Sequence, residues 1–151
     1  MYSKNLEAFL DMISFSEGTY AKGHHGYNVL YGGGYFTGYA DHPRKKLTFT
    51  IKGKSVTSTA AGRYQILARY FDAYKKSLGL KDFSPASQDA IAVQMIKEQK
   101  ALQNIEAGRF DEAVRQCSNI WASLPGAGYG QHENSLEALR EFYVRMGGRV
   151  A

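Results

Sequence analysis

From Tyr20 to Ala40 the chain carries Gly23, Gly26, Gly32, Gly33, Gly34 and Gly38 among Tyr20, Tyr27, Tyr31, Tyr35 and Tyr39. Glycine weakens a helix and serves backbone that needs positive φ, so this segment predicts loop and short strand. Around it the apolar spacing is helical. Leu6, Phe9, Leu10 and Ile13 form one stripe and predict a helix over 4–16, with Gly18 at its stop. Residues 47–51, Leu-Thr-Phe-Thr-Ile, alternate and predict a strand, followed by a polar, flexible stretch over 52–59. Tyr64, Leu67, Phe71, Tyr74 and Leu78 predict a helix over 60–78. Ser84-Pro85 starts another, with Ile91, Met95 and Ile96 inward. A break at Gly108 precedes a helix through Val114, Cys117 and Trp121. Residues 124–133 form a glycine-rich loop. Asn134 with Glu137 resembles a capping box for a last helix ending near Gly147-Gly148. The chain carries no repeat or linker. It reads as one domain over 1–151, α+β, mostly helical, with a small β-region after the first helix.

Composition removes several classes. With 151 residues, 44% apolar and 22% charged, the chain is ordinary globular material. Its one cysteine, Cys117, excludes an intramolecular disulfide and a multi-thiolate zinc site. No apolar run approaches the ~20 residues needed to span a bilayer, and residues 1–7 lack the apolar core of a secretory signal. The expectation is a chain made in a reducing compartment, without membrane insertion. A net charge of +5 favours an anionic partner, whether nucleic acid, membrane surface or cell wall. The longest basic run, Arg44-Lys45-Lys46, is shorter than a nucleic-acid arm. The clustered tyrosines suit stacking on sugars or bases, and suit a half-buried sheet equally well.

Glu17 is the residue with the most chemical promise. It follows Ile13 by four and continues the apolar stripe at the helix end. Desolvation and the negative end of the helix dipole both raise a carboxyl pKa there, as a general acid requires. An exposed end-of-helix glutamate is the commoner arrangement for such a pattern. The second carboxylate usual in a glycosidase is missing: from Gly18 to Ala40 there is no Asp or Glu. Asp41 sits in a setting that reads as a turn salt bridge with Arg44, and position 28 is Asn28. A single acid suffices where the substrate brings its own nucleophile, as the 6-hydroxyl of N-acetylmuramic acid does. His24-His25 lacks metal spacing, Ser16, Ser58 and Ser123 lack a nucleophile elbow, and Cys117 reads as a buried small hydrophobe. No metal or cofactor is expected. Tyr129 and Gln131, in the glycine-rich loop, offer a stacking ring and an amide to sugar hydroxyls.

Longer segments carry a resemblance. They are Ala8-Phe9-Leu10-Asp11-Met12, Ser16-Glu17-Gly18-Thr19, His25-Gly26-Tyr27 and Asp41-His42-Pro43-Arg44-Lys45, then Ala61-Gly62-Arg63-Tyr64-Gln65, Leu78 to Pro85, Ser87 to Ala90, and Cys117 to Gln131. In order and length these resemble the bacteriophage lambda endolysin family of lysozyme-like lytic transglycosylases, from about residue 8 to the last helix.

That resemblance implies a lysozyme-like α+β fold, a mainly helical lobe and a small β-lobe with a cleft between them. It implies cleavage of the β-1,4 bond between N-acetylmuramic acid and N-acetylglucosamine in peptidoglycan, with 1,6-anhydro ends and Glu17 as catalytic acid. Ser16, Tyr27, Asn28, Thr59, Gln65, Tyr129 and Gln131 are the expected substrate-binding residues. Thr59 comes from a lip over 52–59, Tyr129 and Gln131 from a second lip near 128–133, and Gln65 from a Gly-x-x-Gln signature. The chain is expected to be a monomer that acts on glycan strands, binds no nucleic acid, accumulates in the host cytoplasm, and reaches the wall after a holin-type membrane protein opens the way. One departure stands out: the family's aspartate after His-Gly-Tyr is Asn28 here. A hydrolytic muramidase of the same fold class and a non-catalytic wall-binding module are the alternatives.

Overall fold

The computed structural model describes residues 2–126 and 134–151. Its elements run α1 (Lys4–Glu17), β1 (Leu47–Ile51), β2 (Lys54–Ser58), α2 (Ala68–Leu78), α3 (Pro85–Glu98), α4 (Leu102–Glu106), α5 (Phe110–Cys117) and α6 (Leu136–Arg145). Two compact units divide the chain: residues 1–18 with 92–151, and residues 19–91. No described helix is long and apolar enough to cross a membrane.

In the first unit α1 packs on α6 and α4, and α4 on α5. Ser3 caps α1 by accepting from Leu6 N at 3.1 Å. The expected stripe of Leu6, Phe9, Leu10 and Ile13 is buried. Phe9 meets Phe110 and Tyr143 edge-on at 6.0 and 6.4 Å, in the orientation that aromatic quadrupoles favour. Asn5 ties α1 to α4 and the chain end, donating to Ile105 O and accepting from Arg149 N, each at 3.0 Å. Cys117 is buried and free, and burial pushes its thiol up to about 12. That keeps it an inert apolar filler, as expected.

Two boundaries here differ from the sequence reading. The helix expected to reach Trp121 stops at Cys117, and Trp121 is buried from the turn that follows. The last helix is capped by Ser135, which accepts from Ala138 N, and not by Asn134. Both Asn134 and Ser135 are good caps, so local sequence could not separate them.

The second unit is built mostly without regular structure. The tyrosine-rich stretch is not a half-buried sheet. It is a series of turns joined by isolated bridges pairing Val29 with Tyr35 and Leu30 with Ala61. The strand expected at 47–51 is present, and part of the polar stretch after it pairs back as β2 in a two-stranded antiparallel hairpin. The helix expected over 60–78 begins only at Ala68. Gly62 and Gln65 stand at φ +83° and +52°, outside helical space. Tyr64 is fully buried from this turn. The start signal at Ser84-Pro85 holds, with Ser84 Oγ accepting from Ser87 N at 3.3 Å.

Side chains supply the missing hydrogen bonds. Gln88 is buried, accepts from Arg63 N at 2.9 Å, and donates to Tyr27 O and Phe83 O at 3.1 and 3.0 Å. Arg63 reaches from its own turn to His25 O at 3.0 Å and lies over the rings of Tyr20, Tyr27 and Tyr64. His42 is buried against Phe71 and Phe83. Arg44 N donates to its Nδ1, so Nε2 carries the proton and donates to Ile66 O at 2.8 Å. The salt bridge expected between Asp41 and Arg44 is present at 3.0 Å, and Asp72 joins it at 2.6 Å.

Gly62 offers a direct check. A Cβ there would meet Gln88 Oε1 at 2.3 Å, on backbone already at positive φ. Gly62→Ala is expected to cost about 2–4 kcal/mol, from left-handed strain plus a displaced buried amide. Urea unfolding by circular dichroism measures it, and a loss below about 1 kcal/mol would contradict this account.

Candidate active site

α1 ends on Glu17 because Gly18 follows at φ +81°, with its N–H bonded to Phe15 O at 3.1 Å. That left-handed cap is easy for glycine and costly for other residues. The last turn therefore stops with Ser16 buried and Glu17 partly exposed. Ser123, in the turns after α5, donates to Glu17 Oε2 at 2.5 Å. Ser123 Oγ also lies 2.7 Å from Ser16 Oγ. Asn134 Nδ2 reaches Ser16 O at 3.0 Å and Ser16 Oγ at 3.1 Å. Asn134 is anchored in turn by its own N–H, which donates to Ser123 O at 2.9 Å.

The electrostatics follow from this packing. Burial pushes the Glu17 carboxyl up from 4.5 to about 7, and the hydrogen bond from Ser123 pulls the other way. No basic residue lies in the last turn of α1 to offset the helix dipole. The group can hold a proton near neutral pH and release it there, as general acid–base work requires. Whole-residue exposure understates how well the carboxyl end is enclosed.

Four of the other expected site residues, Tyr27, Asn28, Thr59 and Gln65, lie in the second unit, and their polar groups are engaged within it. Tyr27 donates to Asp89 Oδ1 at 2.9 Å, beside Tyr64, which donates to the same oxygen at 2.6 Å. Burial and then the Asp89 charge push the Tyr27 hydroxyl up to about 12, so it remains a donor. Asn28 Oδ1 accepts from His24 N at 2.8 Å. Thr59 Oγ1 accepts from Ala68 N at 3.0 Å and serves the first turn of α2. Gln65 donates to Gly62 O at 2.9 Å and Val29 O at 3.3 Å. The other two, Tyr129 and Gln131, fall outside the described residues. His24, read as a loop group, has its Nδ1 3.3 Å from Tyr39 Oη.

Sequence reasoning misses both Ser123, the partner of Glu17, and Asn134, which backs it through Ser16. Ser123 reads there only as a serine without a nucleophile elbow, and Asn134 only as a helix cap. Both lie more than a hundred residues from the end of α1, and no local spacing signals such a contact.

The whole chain superposes on a solved structure of bacteriophage lambda lysozyme complexed with a chitohexasaccharide. The TM-score is 0.95 and the identity 52%, covering 100% of this chain and 99% of that one. A second structure, lysozyme from bacteriophage lambda, matches at a TM-score of 0.90 and 51% identity over the same shares. The fold is therefore the α+β, lysozyme-like one that the sequence suggested.

The endolysin of Escherichia phage lambda is 55% identical over 148 residues, 95% of this chain and 92% of that protein. The endolysin of Escherichia phage P2 is 47% identical over 157 residues, covering 96% and 94%. Residues 7–150 match the Endolysin family, and the chain belongs to it.

The raised carboxyl has a stability consequence. The folded state holds the Glu17 proton up to about pH 7, whereas an unfolded glutamate releases it near 4.5. This contribution is full below pH 4.5 and is lost as pH rises through 7. Glu17→Gln lacks that loss. Its stability relative to the parent is expected to climb between pH 4.5 and 7 and level off at a gain on the order of 2–3 kcal/mol. Urea unfolding at stepped pH checks the sign, and a pH-independent difference would refute it.

Proposed function

We propose that the chain is a phage endolysin that acts as a lytic transglycosylase, with Glu17 as the single catalytic acid and base. The observation that carries this reading is the carboxyl at the end of α1, enclosed enough to hold a proton near pH 7 and oriented by Ser123. The substrate is peptidoglycan, in line with the oligosaccharide bound by the similar lambda lysozyme.

In the proposed reaction Glu17 protonates the glycosidic oxygen while the bond from that oxygen to C1 of N-acetylmuramic acid breaks. N-acetylglucosamine leaves with a free 4-hydroxyl. The 6-hydroxyl of the same muramic acid attacks C1, and its proton passes to the Glu17 carboxylate. The 1,6-anhydro ring closes, Glu17 regains its proton, and no water is consumed. The pair of carboxylates that a hydrolase of ordinary type uses is not needed. The sequence carries none between Gly18 and Ala40, and Asp41 is held in its pair with Arg44.

Under this reading Asn28, in place of the family aspartate, is tolerated, because its role in the fold is to accept from His24 N. Ser16, Tyr27, Asn28, Thr59, Gln65, Tyr129 and Gln131 remain the proposed substrate-binding set. The chain works as a monomer after a holin-type protein lets it through the membrane.

Mass spectrometry of muropeptides released from Gram-negative peptidoglycan tests the chemistry. The expected products carry 1,6-anhydro ends and are one water lighter than hydrolytic ones. Reducing ends in their place would establish the muramidase reading. Glu17→Gln is expected to lower lysis by at least a hundredfold while wall binding persists, consistent with general-acid contributions of about 10²–10⁴-fold. Retained lysis in that variant would remove Glu17 from the mechanism.

A further inference from the structure

The hydrogen bonds around Glu17 have a direction. Asn134 Nδ2 lies 3.0 Å from Ser16 O, a carbonyl oxygen that can only accept. The side-chain atom facing it must therefore be the amide nitrogen, which fixes the orientation of the Asn134 amide. The same nitrogen lies 3.1 Å from Ser16 Oγ, so that oxygen also accepts. Ser16 is then free to spend its own hydroxyl proton on Ser123 Oγ, 2.7 Å away. Ser123, having accepted, donates to Glu17 Oε2 at 2.5 Å. In this arrangement each hydroxyl can receive one hydrogen and give one, in a chain that runs toward the carboxyl.

We propose that Asn134, Ser16 and Ser123 form a one-way relay that keeps Glu17 Oε2 as an acceptor and so places the acid proton on Oε1, with Ser123 as the positioning residue of the acid. This rests on Glu17 being the general acid. With the Ser123 proton committed to Oε2, a proton on that same oxygen would meet it head-on, and the carboxyl carries its proton on the other oxygen. After transfer the relay does not need to turn, because an ionised carboxyl also accepts at Oε2. The donor oxygen is thus fixed through the cycle without any group reorienting. Preorganised donors of this kind lower the reorganisation cost of proton transfer.

The relay explains why a half-buried asparagine amide and a buried serine hydroxyl sit behind a carboxyl they do not touch. It also gives Ser123 a role that its lack of a nucleophile elbow had hidden. Ser123 touches no bond that breaks. Its effect is expected in the pH profile and in kcat, with KM little changed.

The test titrates the Glu17 carboxyl by carbon-13 NMR in the intact protein, assigned by its loss in Glu17→Gln. Ser123→Ala removes the donor to Oε2 and is expected to move the titration, and the alkaline limb of the activity profile, upward by about half to one pH unit, with kcat at the plateau reduced about tenfold. Ser123→Thr keeps the hydroxyl and is expected to restore both. Asn134→Leu removes the amide donor without adding a charge and is expected to act in the same direction as Ser123→Ala. An unmoved titration in Ser123→Ala, or a shift that Ser123→Thr fails to reverse in a folded protein, overturns the relay. The titration reads the relay independently of catalysis, so a failure of Glu17 as the acid shows up separately, as activity retained in Glu17→Gln.

Discussion

Buried backbone polar groups have to be paired, and in the segment from Thr19 to Leu67 neither helix nor a large sheet is available to pair them. Gln88 is the residue that makes this possible. One amide, fully buried on α3, satisfies an N–H in the turn at Arg63 and carbonyls at Tyr27 and Phe83. Three stretches far apart in sequence are held by one side chain. Arg63 extends the same work to His25 O, and Thr19 Oγ1 closes the loop by donating to Arg63 O at 2.6 Å. Among the described residues no buried side-chain nitrogen or oxygen lacks a partner. A polar interior that is completely satisfied stabilises one arrangement, whereas a partly satisfied one favours none.

The same economy operates at Glu17 on a smaller scale. A carboxyl at a helix end, enclosed and without a basic partner in its last turn, is costly to ionise. Among the described residues no cation offsets that cost. The protein supplies one hydroxyl, from Ser123, and backs that hydroxyl with Ser16 and Asn134. A lysine or arginine in that position would have lowered the pKa and removed the acid at neutral pH. A neutral donor orients the carboxyl and leaves its proton affinity high. The chemistry proposed for the site depends on that choice of partner.

Parts of this were readable from the residues. The stripe of Leu6, Phe9, Leu10 and Ile13 fixed α1, and its continuation put Glu17 at the enclosed end. Gly18 marked the stop, and Ser84-Pro85 marked the start of α3. The alternation at 47–51 gave β1. Errors clustered where apolar spacing imitates a helix. Tyr64 fits the period of Phe71 and Leu78, yet it is buried from a turn, because Gly62 and Gln65 take positive φ. Trp121 fits the period of Cys117 in the same misleading way. Periodicity reports which side chains are buried, and a turn can bury them as well as a helix.

What the sequence determined by itself was therefore local: the stripe of α1 with its stop at Gly18, the start at Ser84-Pro85, the glycine-rich insertion, and a lone acid with no neighbouring carboxylate. Motif order added the family. Tertiary structure alone decided which distant groups meet. Ser123 reaches Glu17 and Asn134 reaches Ser16 across more than a hundred residues, and Gln88 reaches Tyr27 across sixty-one. Hydrogen bonds act over about 3 Å, and nothing in one-dimensional spacing encodes which residues folding brings within that range. The carboxyl's position was legible in the chain. Its proton affinity was set by the groups that folding packed around it.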